Sequence, residues 1–259
     1  MGSRGSPPRP WGVGNDAPDA AEEGYTPRTV SLAGDAQVRL RRGLWAGVGF
    51  DLSHRRFVEQ EDSGLIASGA LGGAVDGRVM GVGVVLTWDS RNNSAFPRMG
   101  GLYQLRALGY GDAVGSDFGF TKVSLDARRY LPVFGRHVVA VRVVGMGTAG
   151  APPFDHLPRL GGEVLLRGYY EGRFRDCQLV ALQAEYRAPV WWRFGVVAFG
   201  AAGQVAPRFA DVALERFRVS AGGGIRFRFT GDGMNIRLDV ARGIGRSSGG
   251  LYLGVREAF

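Results

Sequence analysis

The segment QLVALQAEYRAPV, residues 178–190, alternates apolar and polar side chains from one position to the next. Val180 and Leu182 belong to its apolar set, whereas Glu185 and Arg187 belong to its polar set. Successive side chains of a β-strand point to opposite faces of the sheet. A period of two therefore predicts a strand with one apolar face and one charged face.

The same alternation recurs along the chain and predicts eleven strands, each close to the roughly 9 to 11 residues with which a tilted strand crosses a bilayer. They are residues 29–40, 43–53, 78–90, 100–111, 118–130, 136–146, 178–190, 194–205, 216–229, 234–243 and 250–259. Bacterial outer-membrane barrels have even strand numbers. We therefore expect a twelfth strand, near Trp11, near Ile66 or upstream of the sequence.

Composition and connections favour a transmembrane antiparallel β-barrel of about 12 strands. The 259 residues include 43 glycines, which disfavour helices, and arginines share the polar face of most strands with acids. A barrel with an apolar outside and a charged interior explains this pattern. A soluble β-sandwich, which buries its apolar faces, is the alternative. Short and long connections alternate, as periplasmic turns and external loops do, which predicts a periplasmic C-terminus.

Several function classes are disfavoured by the residues. The net charge of +8 comes from arginines that are spread along the chain, which argues against nucleic-acid binding, although a soluble arginine-rich binder is a third hypothesis. One cysteine, Cys177, and three unclustered histidines predict no metal and no cofactor. GMGTAG, residues 145–150, lacks a following helix, and His156 and Ser220 lack a GxSxG motif, so we expect no enzyme.

Five stretches together resemble the C-terminal barrel of the bacterial surface antigen (BamA/TamA) family. They are LTWDSRNNSAFPRMGGLYQLRA at 86–107, LPRLGGEVLLRGYYEGRFRD at 157–176, AEYRAPVW at 184–191, FGAAGQV at 199–205 and LYLGVREAF at 251–259. The first is similar to a periplasmic turn motif of the family, and its matching residues are Asp89, Arg91, Asn92, Pro97 and Gly100.

The resemblance implies that an external loop, residues 147–177, folds back into the barrel. Its motif is matched by Leu166, Arg167, Gly168 and Tyr169. An unpaired buried arginine costs on the order of 3 to 5 kcal/mol, so Arg167 needs a carboxylate. The family's usual aspartate position holds Ala201. We therefore predict that Glu185 pairs with Arg167, with Arg187 on the same face and Phe199 stacked on the guanidinium.

The resemblance also implies roles for the chain ends. The final strand, with Leu251, Leu253, Val255 and Phe259 on its apolar face, resembles a sorting signal for barrel assembly. Residues 1–28 are expected to be a flexible or truncated tail ahead of a barrel at 29–259. Family members that insert proteins usually carry periplasmic transport-associated domains ahead of the barrel, whereas 28 residues precede the first predicted strand.

The function implied is insertion or translocation of proteins, or of lipids, at the bacterial outer membrane. The alternative is a passive pore or a membrane anchor, such as the barrel half of a patatin-like phospholipase. The expected partners are outer-membrane lipid, nascent outer-membrane proteins and a second copy of the chain, with no nucleic acid.

Overall fold

The computed structural model describes residues 12–16, 25–60, 76–229, 235–245 and 249–259. These residues form eleven long strands in one antiparallel sheet and two short strands, β7 and β8, in a separate pair. The strands are β1 Tyr25–Arg41, β2 Leu44–Gln60, β3 Gly77–Asp89, β4 Gly100–Tyr110, β5 Phe120–Pro132, β6 Val138–Gly150, β7 Arg159–Leu160, β8 Phe174–Arg175, β9 Gln178–Trp191, β10 Phe194–Ala206, β11 Arg218–Arg228, β12 Asn235–Gly243 and β13 Gly249–Val255. Within the described ranges, no helix is long and apolar enough to cross a membrane.

The sheet follows chain order, with β6 pairing directly with β9 across the loop at 151–177. Each of the eleven predicted strands overlaps one strand of this sheet. The described residues contain no twelfth long strand, and Trp11 and Ile66 lie outside them. β1 and β13 are the two edges of the sheet, and no ladder joins them in the described part of the chain.

The two faces of the sheet are inverted relative to a soluble protein. Leu182 on β9 is 47% exposed, whereas Glu185, on the opposite face of the same strand, is 1% exposed. The apolar residues that are likewise exposed include Val84, Leu86, Val123, Leu125, Val143, Val196, Ile225, Leu238, Val240, Leu251 and Leu253. A β-sandwich would bury these side chains and expose the charges, so the soluble alternative is excluded. The chain is an all-β transmembrane barrel, as predicted.

The curvature of the sheet is shown by the loop that it encloses. Asp155 of the loop forms an ion pair with Arg55 on β2, while the Tyr169 hydroxyl donates to the Val219 carbonyl on β11 at 3.2 Å. Strands far apart in the sheet therefore contact one loop. An apolar cluster holds its centre, and its members are Val144, Leu160, Leu165, Leu166, Tyr169, Phe174, Leu179, Ala181, Ala201 and Val205. The predicted inward-folded external loop is confirmed, although it begins after Gly150 rather than at residue 147.

Because the sheet of the described residues has eleven antiparallel strands in chain order, an odd number, the start of β1 and the end of β13 lie at opposite ends of the barrel. β1 begins at Tyr25, four residues before the predicted start, at the end where the long loops lie. At this end, residues 12–16 contact the loop and its surroundings. The Gly14 amide donates to the Arg175 carbonyl at 2.7 Å, and the Asn15 amide group donates to the Arg216 carbonyl at 2.8 Å. This part of the predicted tail is held by the barrel.

Candidate functional site

The loop motif reverses the chain sharply so that Arg167 reaches the middle of the lumen. Leu166 has a φ of 63° and Gly168 a φ of 104°. A Cβ at Gly168 would lie 2.7 Å from the Arg242 carbonyl carbon, so only glycine fits there. The left-handed conformation costs Leu166 about 1 to 2 kcal/mol, which its complete burial in the apolar cluster offsets.

Arg167 is held by two carboxylates and one aromatic ring. Its Nη1 donates to Asp239 Oδ2 at 2.7 Å, and its Nη2 donates to Glu185 Oε1. The guanidinium carbon lies 3.5 Å from the centroid of the Phe199 ring. The structure therefore brings together Arg167, Glu185 and Phe199, and it adds Asp239 on β12. Ala201 belongs instead to the apolar cluster.

Glycines of β11 make room for this arrangement, here called the Arg167 anchor. A Cβ at Gly224 would lie 2.0 Å from Asp239 Oδ1, and a Cβ at Gly222 would lie 2.5 Å from the Phe199 ring. Both glycines are on the lumen face, whereas Gly223 between them points outward. Two of the three consecutive glycines, Gly222 and Gly224, thus leave the space that the anchor needs.

Further ion pairs connect the anchor to its neighbours. Arg187 Nε donates to Glu185 Oε2 at 3.0 Å, and Arg226 contacts both Asp239 and Glu257, the latter at 2.9 Å. Four arginines and four acids make up the network, namely Arg167, Arg187, Arg226 and Arg237 with Glu163, Glu185, Asp239 and Glu257. Glu185, Asp239 and Glu257 are buried and each pairs with at least two of these arginines, whereas the half-exposed Glu163 pairs with Arg237 alone, so loss of any buried carboxylate leaves more than one guanidinium short of a partner.

A second attachment, here called the His156 anchor, ties the other limb of the loop to the N-terminal strands. His156 Nδ1 lies 3.2 Å from Asp155 Oδ1, and the imidazole packs edge-on against Tyr110 and Phe120. Burial opposes ionisation of Asp155, but the bond from His156 and the charges of His156 and Arg55 hold its pKa below the ordinary value. The sequence disfavoured a hydrolase at His156 and did not predict this structural role.

The predicted periplasmic turn residues lie together in the β3–β4 connection. Arg91 Nη2 donates to Asp89 Oδ2 at 2.7 Å, and Asn92 Oδ1 accepts two backbone amides of the turn. Pro97 is buried. Gly100 has a φ of 91°, and a Cβ there would lie 2.1 Å from the Ser90 carbonyl oxygen. The motif is therefore a self-contained turn.

The C-terminal strand agrees with the prediction only up to Val255. Leu251, Leu253 and Val255 face outward. The strand then ends, and Arg256 adopts a φ of 73°, which reverses the alternation. The prediction that Phe259 lies on the apolar outer face is wrong, because Phe259 is 5% exposed and packs inside the barrel.

Inside the lumen, the C-terminal residues join the charge network. The Phe259 ring packs on Tyr130, Val138 and Ala140, and Arg187 Nη2 donates to a terminal oxygen of Phe259 at 3.0 Å. Glu257 is likewise inside the barrel. Among the described residues, no group of three or more acidic, histidine or cysteine side chains could hold a metal ion.

Comparison with known proteins agrees with this barrel and its enclosed loop. A profile of the Omp85 superfamily domain matches residues 23–250, most of the chain. The chain belongs to the Omp85 superfamily. It is therefore an outer-membrane barrel of that superfamily, and the resemblance found in its sequence is confirmed.

A solved structure of similar fold is the crystal structure of BamA from Haemophilus ducreyi lacking POTRA domains 1–3. The TM-score is 0.66 and the sequence identity 16%, over 93% of this Omp85 chain and 56% of that chain. At this identity the likeness shows the fold alone. The chain thus spans little more than half the length of its structural relative. No curated protein matches the sequence.

Proposed function

We propose that this Omp85 barrel acts in the insertion or translocation of proteins, or of lipids, at the outer membrane of a bacterial cell. The observation that carries the proposal is the pair of free sheet edges. β1 and β13 end the sheet on either side, and the described residues form no ladder between them. Both strands turn apolar side chains outward, such as Leu32 on β1 and Leu253 on β13.

An unpaired strand edge inside a bilayer strongly favours binding of another strand. Each unsatisfied backbone N–H or C=O in hydrocarbon costs on the order of several kcal/mol, because no water is present to bond with it. β1 has 17 residues and β13 has 7, so even a ladder along all of β13 would leave 10 residues of β1 without a partner. An incoming strand would satisfy those groups.

The two anchors give the loop a role in this proposal. The His156 anchor binds the loop to β2, β4 and β5, whereas the Arg167 anchor binds it to β9 and β12. The loop therefore crosses the lumen and fixes the curvature of the sheet while its edges stay free. The charged groups of the lumen pair with one another, and we propose that the chain works by binding and templating, without covalent catalysis.

The proposal names three kinds of partner. Outer-membrane lipid contacts the apolar outer face, an unfolded outer-membrane protein pairs with an edge strand, and a second copy of the chain would compete for that edge to give a homodimer. A passive pore or anchor barrel needs none of these strand contacts.

Cross-linking tests the edge directly. In a Cys177→Ser background, Ala36→Cys places a thiol on edge strand β1, and Ala127→Cys places one on interior strand β5. Each variant is reconstituted in lipid vesicles and mixed with an unfolded barrel protein that carries one cysteine in its last strand. A disulfide forms only when the two Cα atoms come within about 7 Å. We expect a mixed disulfide with Ala36→Cys and none with Ala127→Cys.

The same vesicles report activity, because a folded barrel resists unfolding by detergent at room temperature and migrates differently on a gel. The chain is expected to accelerate folding of the added protein relative to empty vesicles. Equal cross-linking at both positions, or ion conductance with no acceleration, would reject the proposal in favour of a passive pore.

A further inference from the structure

A cleft at the periplasmic mouth of the lumen is lined by more arginines than carboxylates. Six arginines and one glutamate line it, and four of these arginines are contributed by successive periplasmic connections or strand ends. They are Arg98 from the β3–β4 turn, Arg136 from the β5–β6 turn, Arg193 from the β9–β10 turn and Arg228 from the end of β11.

These four arginines have no carboxylate partner within the described residues. The side chains of Arg98, Arg136 and Arg228 make no hydrogen bond with the described residues, and Arg193 donates weakly to the Phe229 carbonyl at 3.4 Å. The charges of Arg98, Arg136 and Arg193 act on Arg228 with the same sign. Four repelling guanidiniums gathered at one cleft favour an anionic ligand, and the described residues supply no carboxylate to them.

The carboxylate in the cleft is already occupied. Glu257 lies 2.9 Å from Arg226 Nε and accepts from Asn235 at 2.7 Å, so it neutralises the floor of the cleft and not its rim. Accessible apolar side chains also line the cleft, namely Phe96 and Phe194. A cationic rim beside these apolar side chains matches an amphipathic molecule better than a small free anion.

The depth of the cleft coincides with the headgroup region of the membrane. The β9–β10 turn exposes Trp191 and Trp192 by 71% and 66% on the outer surface. Such tryptophans mark the membrane–water interface. The next two residues, Arg193 of the turn and Phe194 at the start of β10, line the cleft, and the Arg193 guanidinium lies 5.1 Å from the Trp192 ring. Arginine binds phosphate oxygens with two parallel hydrogen bonds.

We infer that this cleft binds the phosphate headgroup of an anionic phospholipid from the periplasmic leaflet. The headgroup reaches over the short β9–β10 turn so that its phosphate lies between Arg136, Arg193 and Arg228, while its acyl chains stay in the bilayer beside Trp191 and Trp192. The three arginines proposed to bind the phosphate belong neither to the free edges nor to the loop anchors, although Arg187, Arg226 and Glu257 of the charge network form part of the cleft lining.

Lipid titration followed by native mass spectrometry of the full chain in detergent tests the inference. The probes are phosphatidylglycerol and phosphatidylcholine with identical acyl chains, inorganic phosphate and a ten-residue glutamate peptide. Since each lost guanidinium–phosphate contact weakens binding by roughly tenfold, Arg136→Gln with Arg228→Gln should raise the apparent Kd for phosphatidylglycerol by at least about tenfold. Arg208→Gln with Arg216→Gln removes equal charge at the external end and should leave it within about twofold.

The wild-type chain alone gives a second result, which holds even if the paired variant fails to fold. It should bind phosphatidylglycerol about tenfold or more tightly than phosphatidylcholine. Equal affinity for the two lipids, or equal loss in both variant pairs, overturns the site. Displacement of the lipid by inorganic phosphate or by the peptide at the same concentration assigns the cleft to a free anion or an acidic protein, and likewise overturns the lipid assignment.

Discussion

Replacing Asp239 by asparagine should release the loop from the lumen. Asp239 accepts from Arg167 at 2.7 Å and from Arg237 at 3.2 Å, and it also pairs with Arg226, so one substitution removes the charge that three buried arginines share. Breaking a buried ion pair by removing one partner costs about 3 to 5 kcal/mol. Asparagine still accepts a hydrogen bond and Glu185 still faces Arg167, so the lower end of that range applies. About 3 kcal/mol raises the fraction of open loops by roughly 100-fold.

Protease cleavage within residues 151–177 measures that fraction, because cleavage follows the population of the open form when opening and closing are fast. A gel run without heating verifies that the barrel remains folded. Asp211→Asn is the matched control, since Asp211 pairs with Arg208 at the surface and contributes at most about 1 kcal/mol. A cleavage rate for Asp239→Asn within threefold of the control, on a folded barrel, would refute the role assigned to the Arg167 anchor.

Three further predictions concern neighbouring residues. Gly224→Ala should also accelerate loop cleavage, because its Cβ would lie 2.0 Å from an Asp239 oxygen, whereas outward-facing Gly223→Ala should not. Phe259→Ala should lower stability to urea by about 3 to 5 kcal/mol through loss of buried packing, and lipid-facing Leu253→Ala by far less. The lowered pKa of Asp155 means that its contribution is complete above its ordinary value of 3.8 and is lost as pH falls through the lower folded value. The rate of pepsin cleavage of the loop should therefore rise as the pH falls below the folded pKa of Asp155. The Asp155→Asn variant should not show this rise.

Strand positions could be predicted from the sequence because a barrel needs a period of two in every strand. The same alternation identified the face of Glu185 and of Asp239. It could not select Asp239 as a partner of Arg167. The long strands β9, β10 and β11 lie between these two residues along the chain, and the distance between their side chains depends on the curvature of the sheet. Gly222 and Gly224 carried a usable signal, since glycines on a lumen face leave room for large neighbours.

The prediction for the last residues failed for a local reason. Alternation was extended to Phe259, but Arg256 leaves the extended conformation, and one such residue reverses the faces of all that follow. The His156 anchor was missed because its members come from β2, β4, β5 and the loop, which no local pattern connects.

The most direct test is to measure whether lipid or water contacts each face of the sheet. Spin labels are placed at Leu182 and Leu238, which the structure turns outward, and at Ser124, which it turns into the lumen. In reconstituted vesicles, relaxation of the labels at Leu182 and Leu238 should be enhanced by dissolved oxygen and little affected by a water-soluble nickel complex. The Ser124 label should show less oxygen enhancement. Strong nickel enhancement at Leu182 and Leu238 would mean that water covers the apolar face, and would contradict the barrel described.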